Sequence, residues 1–346
     1  MGRRSEHSPF ARIRYNRAMH TRRLFLAQIA AAFAASGADK RWKTAIGLNG
    51  FGSSEQYYNK RYEYDTILDF ARSEKFDGVE MWGGWREGYP DPADAAGIRA
   101  MRSKVESFGL QIFSIQAGPR GVNPVSSDAG ERRKYTAGLK SQIDLAKKLG
   151  SVACGLWPPA KSTADGVSED DMIERFAGCV KPAVHYAVDQ GLTLAIEGEP
   201  PLVINTPERY EKLFAAVGMK EFKVIFDPAH FDLLTGGQAK PEILLKRLGV
   251  ERVGYVQFTD GDGTLRPLPN GEPGTSKHIP CGEGKYDVHL LIEMLHNGGF
   301  DGWVQIDSWQ TEDPFYASLA GKRAVDSVYR LLTTYEEHKR KPAATR

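Results

Sequence analysis

The chain has 346 residues, room for one large α/β domain or two ordinary ones, and its 41% apolar and 26% charged composition is that of a globular protein with a sizeable core. The net charge of +2 misleads, because residues 1–38 hold seven arginines and one glutamate, and the remaining 39 basic and 43 acidic side chains leave the body at −4. A mildly acidic body gives no electrostatic case for nucleic acid as a partner. Three scattered cysteines (Cys154, Cys179, Cys281) without a CxxC pair form neither a disulfide framework nor a zinc knuckle.

The N-terminus reads as an address. Thr21-Arg22-Arg23-Leu24-Phe25-Leu26 leads into an apolar run through Ala35 and then Ser36-Gly37-Ala38, the pattern of a twin-arginine export signal. The run is shorter than the ~20 apolar residues needed to span a bilayer, so no stable membrane insertion is expected. Translation starts at Met1 or at Met19, just ahead of the motif. Residues 1–38 are therefore read as extension and signal, residues 39–346 as the mature domain, and the periplasm or another exported location as its destination.

From residue 43 onward, strands are expected at 44–49, 78–82, 110–116, 151–156, 192–197, 222–227, 253–258 and 303–307. Between them, stretches such as 61–73, 95–108, 132–149, 170–190 and 288–297 repeat apolar residues at three and four, as helices covering a sheet do. Gly109, Gly150, Gly191 and Gly299 stand where such helices should stop. Eight evenly spaced strand–helix units predict a single-domain (β/α)8 TIM barrel over a doubly wound sheet. No strand is followed by GxGxxG or GxxxxGK[ST], which speaks against a nucleotide site. The Gly- and Pro-rich stretch 259–283 is expected to be a loop over the barrel mouth.

Chemistry in such barrels sits at the C-terminal ends of the strands. There, strand five delivers Glu197 and Glu199, strand six Asp227 and then His230, strand seven Gln257 and strand eight Asp307. A carboxylate ending a buried strand is costly unless paired or coordinated. Alone, each is as readily a helix cap or a lysine partner. Together, three carboxylates and an amide in register suit a hard divalent ion such as Mn²⁺ or Mg²⁺, with Co²⁺ or Zn²⁺ as further options. Trp82, Trp85, Trp157 and Trp309 fall at or just past strand ends, where they either stack on a sugar ring or simply fill the mouth. His278 either contacts substrate or anchors the lid, and Glu199 faces substrate or solvent.

Over residues 43–335 the sequence resembles the xylose-isomerase-like barrel superfamily of sugar isomerases and epimerases. The resemblance is carried by Phe226-Asp227-Pro228-Ala229-His230-Phe231, by His278-Ile279-Pro280-Cys281-Gly282-Glu283-Gly284 with Asp287 beyond it, and by Gly299-Phe300-Asp301-Gly302. Gly78-Val79-Glu80 and Leu194-Ala195-Ile196-Glu197 support it more loosely. It implies Glu197, Asp227, Gln257 and Asp307 as metal ligands, Glu197 and Asp307 as the catalytic pair, and His230 as a substrate contact. Two positions depart from the pattern. Epimerases of the superfamily carry His where Gln257 stands, a residue more like that of hydroxypyruvate isomerases, and Asp307 is one methylene shorter than the usual Glu.

The expected activity is isomerisation or epimerisation of a small neutral keto-sugar or keto-acid, by proton transfer through a metal-stabilised enediolate. A dehydratase or lyase acting on a keto-cyclitol or 3-keto-glycoside is the first alternative, and a non-catalytic sugar-binding barrel the second. An abasic-site nuclease is disfavoured, since such enzymes of the superfamily use a histidine-rich trinuclear zinc site and this chain has eight His. The expected partner is a small carbohydrate, and homo-oligomerisation is left open.

Overall fold

The computed structural model describes residues 42–83, 90–116, 118–119, 121–160, 166–267 and 273–340. The export signal, Met19 and Trp85 lie outside the described residues. Eight strands close into an all-parallel barrel: β1 (Lys43–Gly47), β2 (Gly78–Trp82), β3 (Gln111–Gln116), β4 (Ala153–Leu156), β5 (Thr193–Ile196), β6 (Lys223–Phe226), β7 (Val253–Phe258) and β10 (Trp303–Ile306). β10 pairs with β1 from Lys43↔Trp303 to Ile46↔Ile306, which closes the ring. Both faces of each strand are covered, so the strands read as near-continuous apolar runs and not as alternating ones. Inside, Ala45, Phe113, Ala153, Ala195, Ile225, Tyr255 and Trp303 plug the barrel, with Phe113 stacked on Trp303 at 4.7 Å between centroids.

Most of the covering helices start on side-chain caps or stop on glycine. Asp94, Asp128, Ser168, Thr206 and Asp287 each accept a backbone N–H of the first turn of the helix they precede. Gly109, Gly150, Gly191 and Gly299 all have φ between 72° and 83°, the left-handed conformation that ends a helix without a Cβ penalty.

Two expectations change. The first strand gives way at once to a helix, Leu48–Tyr58, so Asn49 sits at a strand-to-helix corner and not within a strand. The expected mouth loop contains a two-stranded antiparallel hairpin, β8 (Leu265–Pro267) and β9 (Pro273–Ser276). Its short, Pro-bearing strands lack the length and apolar run that mark a strand in sequence.

Candidate active site

β5, β6, β7 and β10 are consecutive around the ring, and their ends set four polar side chains in a row. Glu197, Asp227 and Asp307 each follow the last residue of their strand, and Gln257 is the penultimate residue of β7. All four are 5% exposed or less. Asp227 caps a helix with one oxygen and faces the site with the other. Its Oδ1 accepts from the Ala229 and His230 amides (2.7 and 3.0 Å), starting the helix Pro228–Leu233, while its Oδ2 faces His278 Nε2 at 3.1 Å.

The lid supplies the second tier. His278 Nδ1 meets the Ser276 carbonyl at 3.0 Å, so with Asp227 on its other side both ring nitrogens face acceptors. Burial lowers the His278 pKa, but the Asp227 and Asp307 carboxylates outweigh it and push it up to about 9. His230 Nδ1 lies 2.8 Å from the Ser276 hydroxyl, and its Nε2 lies 3.5 Å from Glu197 Oε1. Asp227, His230 and His278 thus form a buried group with ligand atoms within 4.8 Å of one another, able to hold a metal. His278 belongs to this group and also joins it to the lid through the Ser276 carbonyl. Thr275, also on the hairpin, donates to Glu199 Oε2 at 2.8 Å.

A cavity of about 270 Å³ opens above these groups. Glu197, Glu199, His230, His278, Asp307, Trp82, Trp157 and Trp309 stand on its wall, whereas Asp227 and Gln257 are not on it. Trp309 meets Trp82 edge-on at 5.3 Å and Tyr57 at 6.4 Å, giving the mouth an aromatic rim.

Four residues that orient the site were not singled out for it in the sequence. Gln116 Nε2 donates to Glu197 Oε2 at 2.7 Å, and Asn49 Nδ2 to Asp307 Oδ2 at 2.9 Å. Ser276 receives both histidines. Glu80 Oε2 accepts from Gln257 Nε2 at 2.6 Å, and among the described residues the buried Gln257 Oε1 has no hydrogen-bond partner. The signal for Glu80 was present, a carboxylate within a buried strand run. For the amides and serine there was none, since such residues recur in any loop.

The electrostatics favour a cation. Burial, followed by the charges of Glu199, Asp227, Asp307 and Glu80, raises Glu197 well above the usual carboxylate range. Burial likewise raises Asp307, and raises Glu80 to about 7 against the hydrogen bond from Gln257. Only Asp227 is lowered: burial opposes this, but His230 and His278 more than offset it. A crowd of buried carboxylates with an unpartnered amide oxygen beside it fits a hard divalent ion, whose charge would reverse these shifts.

Residues 68–326 match the family model described as xylose isomerase-like TIM barrel. The chain belongs to that family. A Streptomyces coelicolor protein provisionally named a hydroxypyruvate isomerase is 25% identical over 281 residues, covering 73% of this chain and 90% of the relative. The fructoselysine 3-epimerase of Shigella flexneri is 22% identical over 259 residues, covering 72% and 87%. Among solved structures, an L-ribulose 3-epimerase superposes with a TM-score of 0.65 at 16% identity, over 88% of this chain and all of its own. The two sequence relatives bear the names of an isomerase and an epimerase, an inosose dehydratase of Klebsiella pneumoniae also matches at 25% identity over 186 residues, and the structural likeness shows the shared fold. Among the described residues no helix is long and apolar enough to cross a membrane.

Proposed function

We propose that this family member is a divalent-metal-dependent isomerase or epimerase of a small neutral keto-sugar or keto-acid. The observation that carries the reading is the pair Glu197 and Asp307, buried carboxylates three strands apart that reach one sugar-sized cavity from two sides. Glu197, Asp227, Gln257 and Asp307 are the oxygen donors that would hold the ion, and His278 would join them as a nitrogen donor only on losing its Nε2 proton. Such an ion, when bound, polarises a substrate carbonyl and makes the neighbouring C–H more acidic.

The side chains do the rest. Glu197, set by Gln116 and beside His230, takes the proton from carbon. Asp307, set by Asn49 and the Trp309 amide, returns it from the other side. Return to the same carbon inverts it, and return to its neighbour exchanges ketose for aldose. His230 orients a substrate hydroxyl, and the Ser276–His278 segment of the lid closes the site against water. The activities for which the two sequence relatives are named support this class.

A dehydratase is the second reading. Both oxygens of Asp307 are already engaged, and His230 is placed to hand a proton to a departing hydroxyl, which suits chemistry that needs one carboxylate base. Export would present non-phosphorylated substrates, and N-terminal sequencing from fractionated cells should find the mature chain starting near Asp39.

Metal analysis of the purified protein, with solvent-deuterium uptake into a panel of ketoses, tests the proposal. One divalent ion per chain and uptake that Glu197→Gln abolishes are expected. Uptake that survives both chelation and Glu197→Gln would refute it.

A further inference from the structure

The inner cavity is not the end of the space at the barrel mouth. Trp82, Gln116 and Trp157, at the ends of β2, β3 and β4, form its far wall, and the same three residues line an adjoining cleft of about 580 Å³. Most of the outer wall of that cleft is apolar, with Pro119, Pro124, Pro158, Pro159, Val122 and Tyr135, and its polar members are Asn123 and Glu131, the latter paired with Lys134. Gly118 also lines the cleft, and among the described residues a Cβ built on it meets nothing within 4 Å.

Small-molecule sites usually enclose roughly 300–1,000 Å³. The inner cavity alone, at about 270 Å³, falls just below that range, which is room for one ring. Cavity and cleft together reach its upper part. Both tryptophans on the shared wall are half-buried, so each offers ring surface to the joined space. Flat aromatic and proline faces attract the C–H face of a sugar ring, and the charge of Glu131 at the cleft is balanced by Lys134.

We infer that the substrate is a two-ring glycoside, with the reacting ketose in the inner cavity and a second, glycosidically linked neutral sugar ring in the cleft beyond Trp82 and Trp157. This rests on the reading of the inner cavity as the ketose site. It specifies that reading, because a free monosaccharide would leave the larger space to water.

The test compares D-fructose with three glucosyl-fructoses of different linkage (turanose, maltulose and isomaltulose) by calorimetric titration of the metal-loaded full chain. At least one disaccharide should bind about ten-fold tighter than D-fructose, the order that one stacked ring supplies. Gly118→Phe should fill the cleft. Its position has open space and its backbone lies outside the left-handed region, so the substitution is compatible with the fold. The variant should bring the disaccharide back to the level of D-fructose and leave D-fructose binding unchanged, which also shows that the barrel is intact. Gly118→Leu should do the same to a lesser degree. Disaccharides that bind no tighter than D-fructose, or a Gly118→Phe that leaves their advantage in place, overturn the inference. If tight disaccharide binding is lost in Gly118→Phe while no sugar takes up deuterium, the cleft assignment stands and the proton-transfer reading falls.

Discussion

Asp307 is held at both ends of its carboxylate: Oδ2 accepts from Asn49 Nδ2 at 2.9 Å and Oδ1 from the Trp309 amide at 2.7 Å. A carboxylate fixed this way serves as a positioned base with little freedom of reach. Asp307→Asn should lower proton exchange about 10²–10⁴-fold, the usual worth of a general base, and saturating metal should not restore it. Full restoration by metal would make Asp307 a ligand only. Asp307→Glu restores the reach common in the family but pulls the oxygens off both anchors, so its turnover should fall, and a rise would show that reach limits the native enzyme. Glu80 acts through another residue. By occupying Gln257 Nε2 it leaves the amide oxygen unpartnered beside the carboxylates. In Glu80→Gln the new amide can donate, and Gln257 can then turn its oxygen away. Metal affinity measured by calorimetry should fall about 10–100-fold, as for other groups that orient a metal ligand, and an unchanged affinity would remove Glu80 from that role. The carboxylates were legible in sequence because a charge after an apolar run needs an explanation. Asn49 and Gln116 were not, because only the register of strands far apart in the chain brings them to Asp307 and Glu197.

The lid owes its shape to one buried side chain. Asp260 accepts from the amides of Gly261, Gly282, Gly284 and Tyr286 at 2.8 to 3.1 Å, pinning both ends of the segment that carries Thr275, Ser276 and His278. This is the physical content of the Cys281-Gly282-Glu283-Gly284 motif: a Cβ at Gly284 would lie 2.2 Å from Asp260 Oδ1. Asp260→Asn replaces one acceptor oxygen by a donor facing backbone N–H groups, a change costing roughly 1–3 kcal/mol locally. Hydrogen exchange at Gly282, Gly284 and Tyr286 should accelerate roughly ten- to hundred-fold while the barrel strands keep their protection, and substrate affinity should weaken with it. Exchange unchanged at those amides would show that the lid is held by other contacts. The strands and helices were readable because their periods and glycine stops are local properties of the chain. The lid hairpin was not, since its order comes from Asp260 and from the backbone pairing of Asp260 with Ile279.

Across the whole molecule, a stable barrel carries an unstable centre. Glu80, Glu197, Asp227 and Asp307 are all at most 5% exposed, and three of the four are pushed toward protonation by burial and by one another. On the proposed reading a bound cation would relieve this crowding, and an ion that binds only the folded chain stabilises it by about 2.7 kcal/mol at a hundred-fold excess over Kd. Mn²⁺ should therefore raise the melting temperature of the chelator-treated protein by roughly 5 °C or more. Glu197→Gln removes one of the like charges and one of the donors together. Its metal-free form should melt above the metal-free wild type, and it should gain less from Mn²⁺, so that the order of the two proteins narrows or reverses on loading. A merely structural Glu197 would give the opposite, a less stable variant in both states, because the Gln116 hydrogen bond would be weakened with nothing relieved. Differential scanning calorimetry of both proteins, with and without Mn²⁺, separates these outcomes. Equal gains from Mn²⁺ in the two proteins would show that the ion does not bind at Glu197.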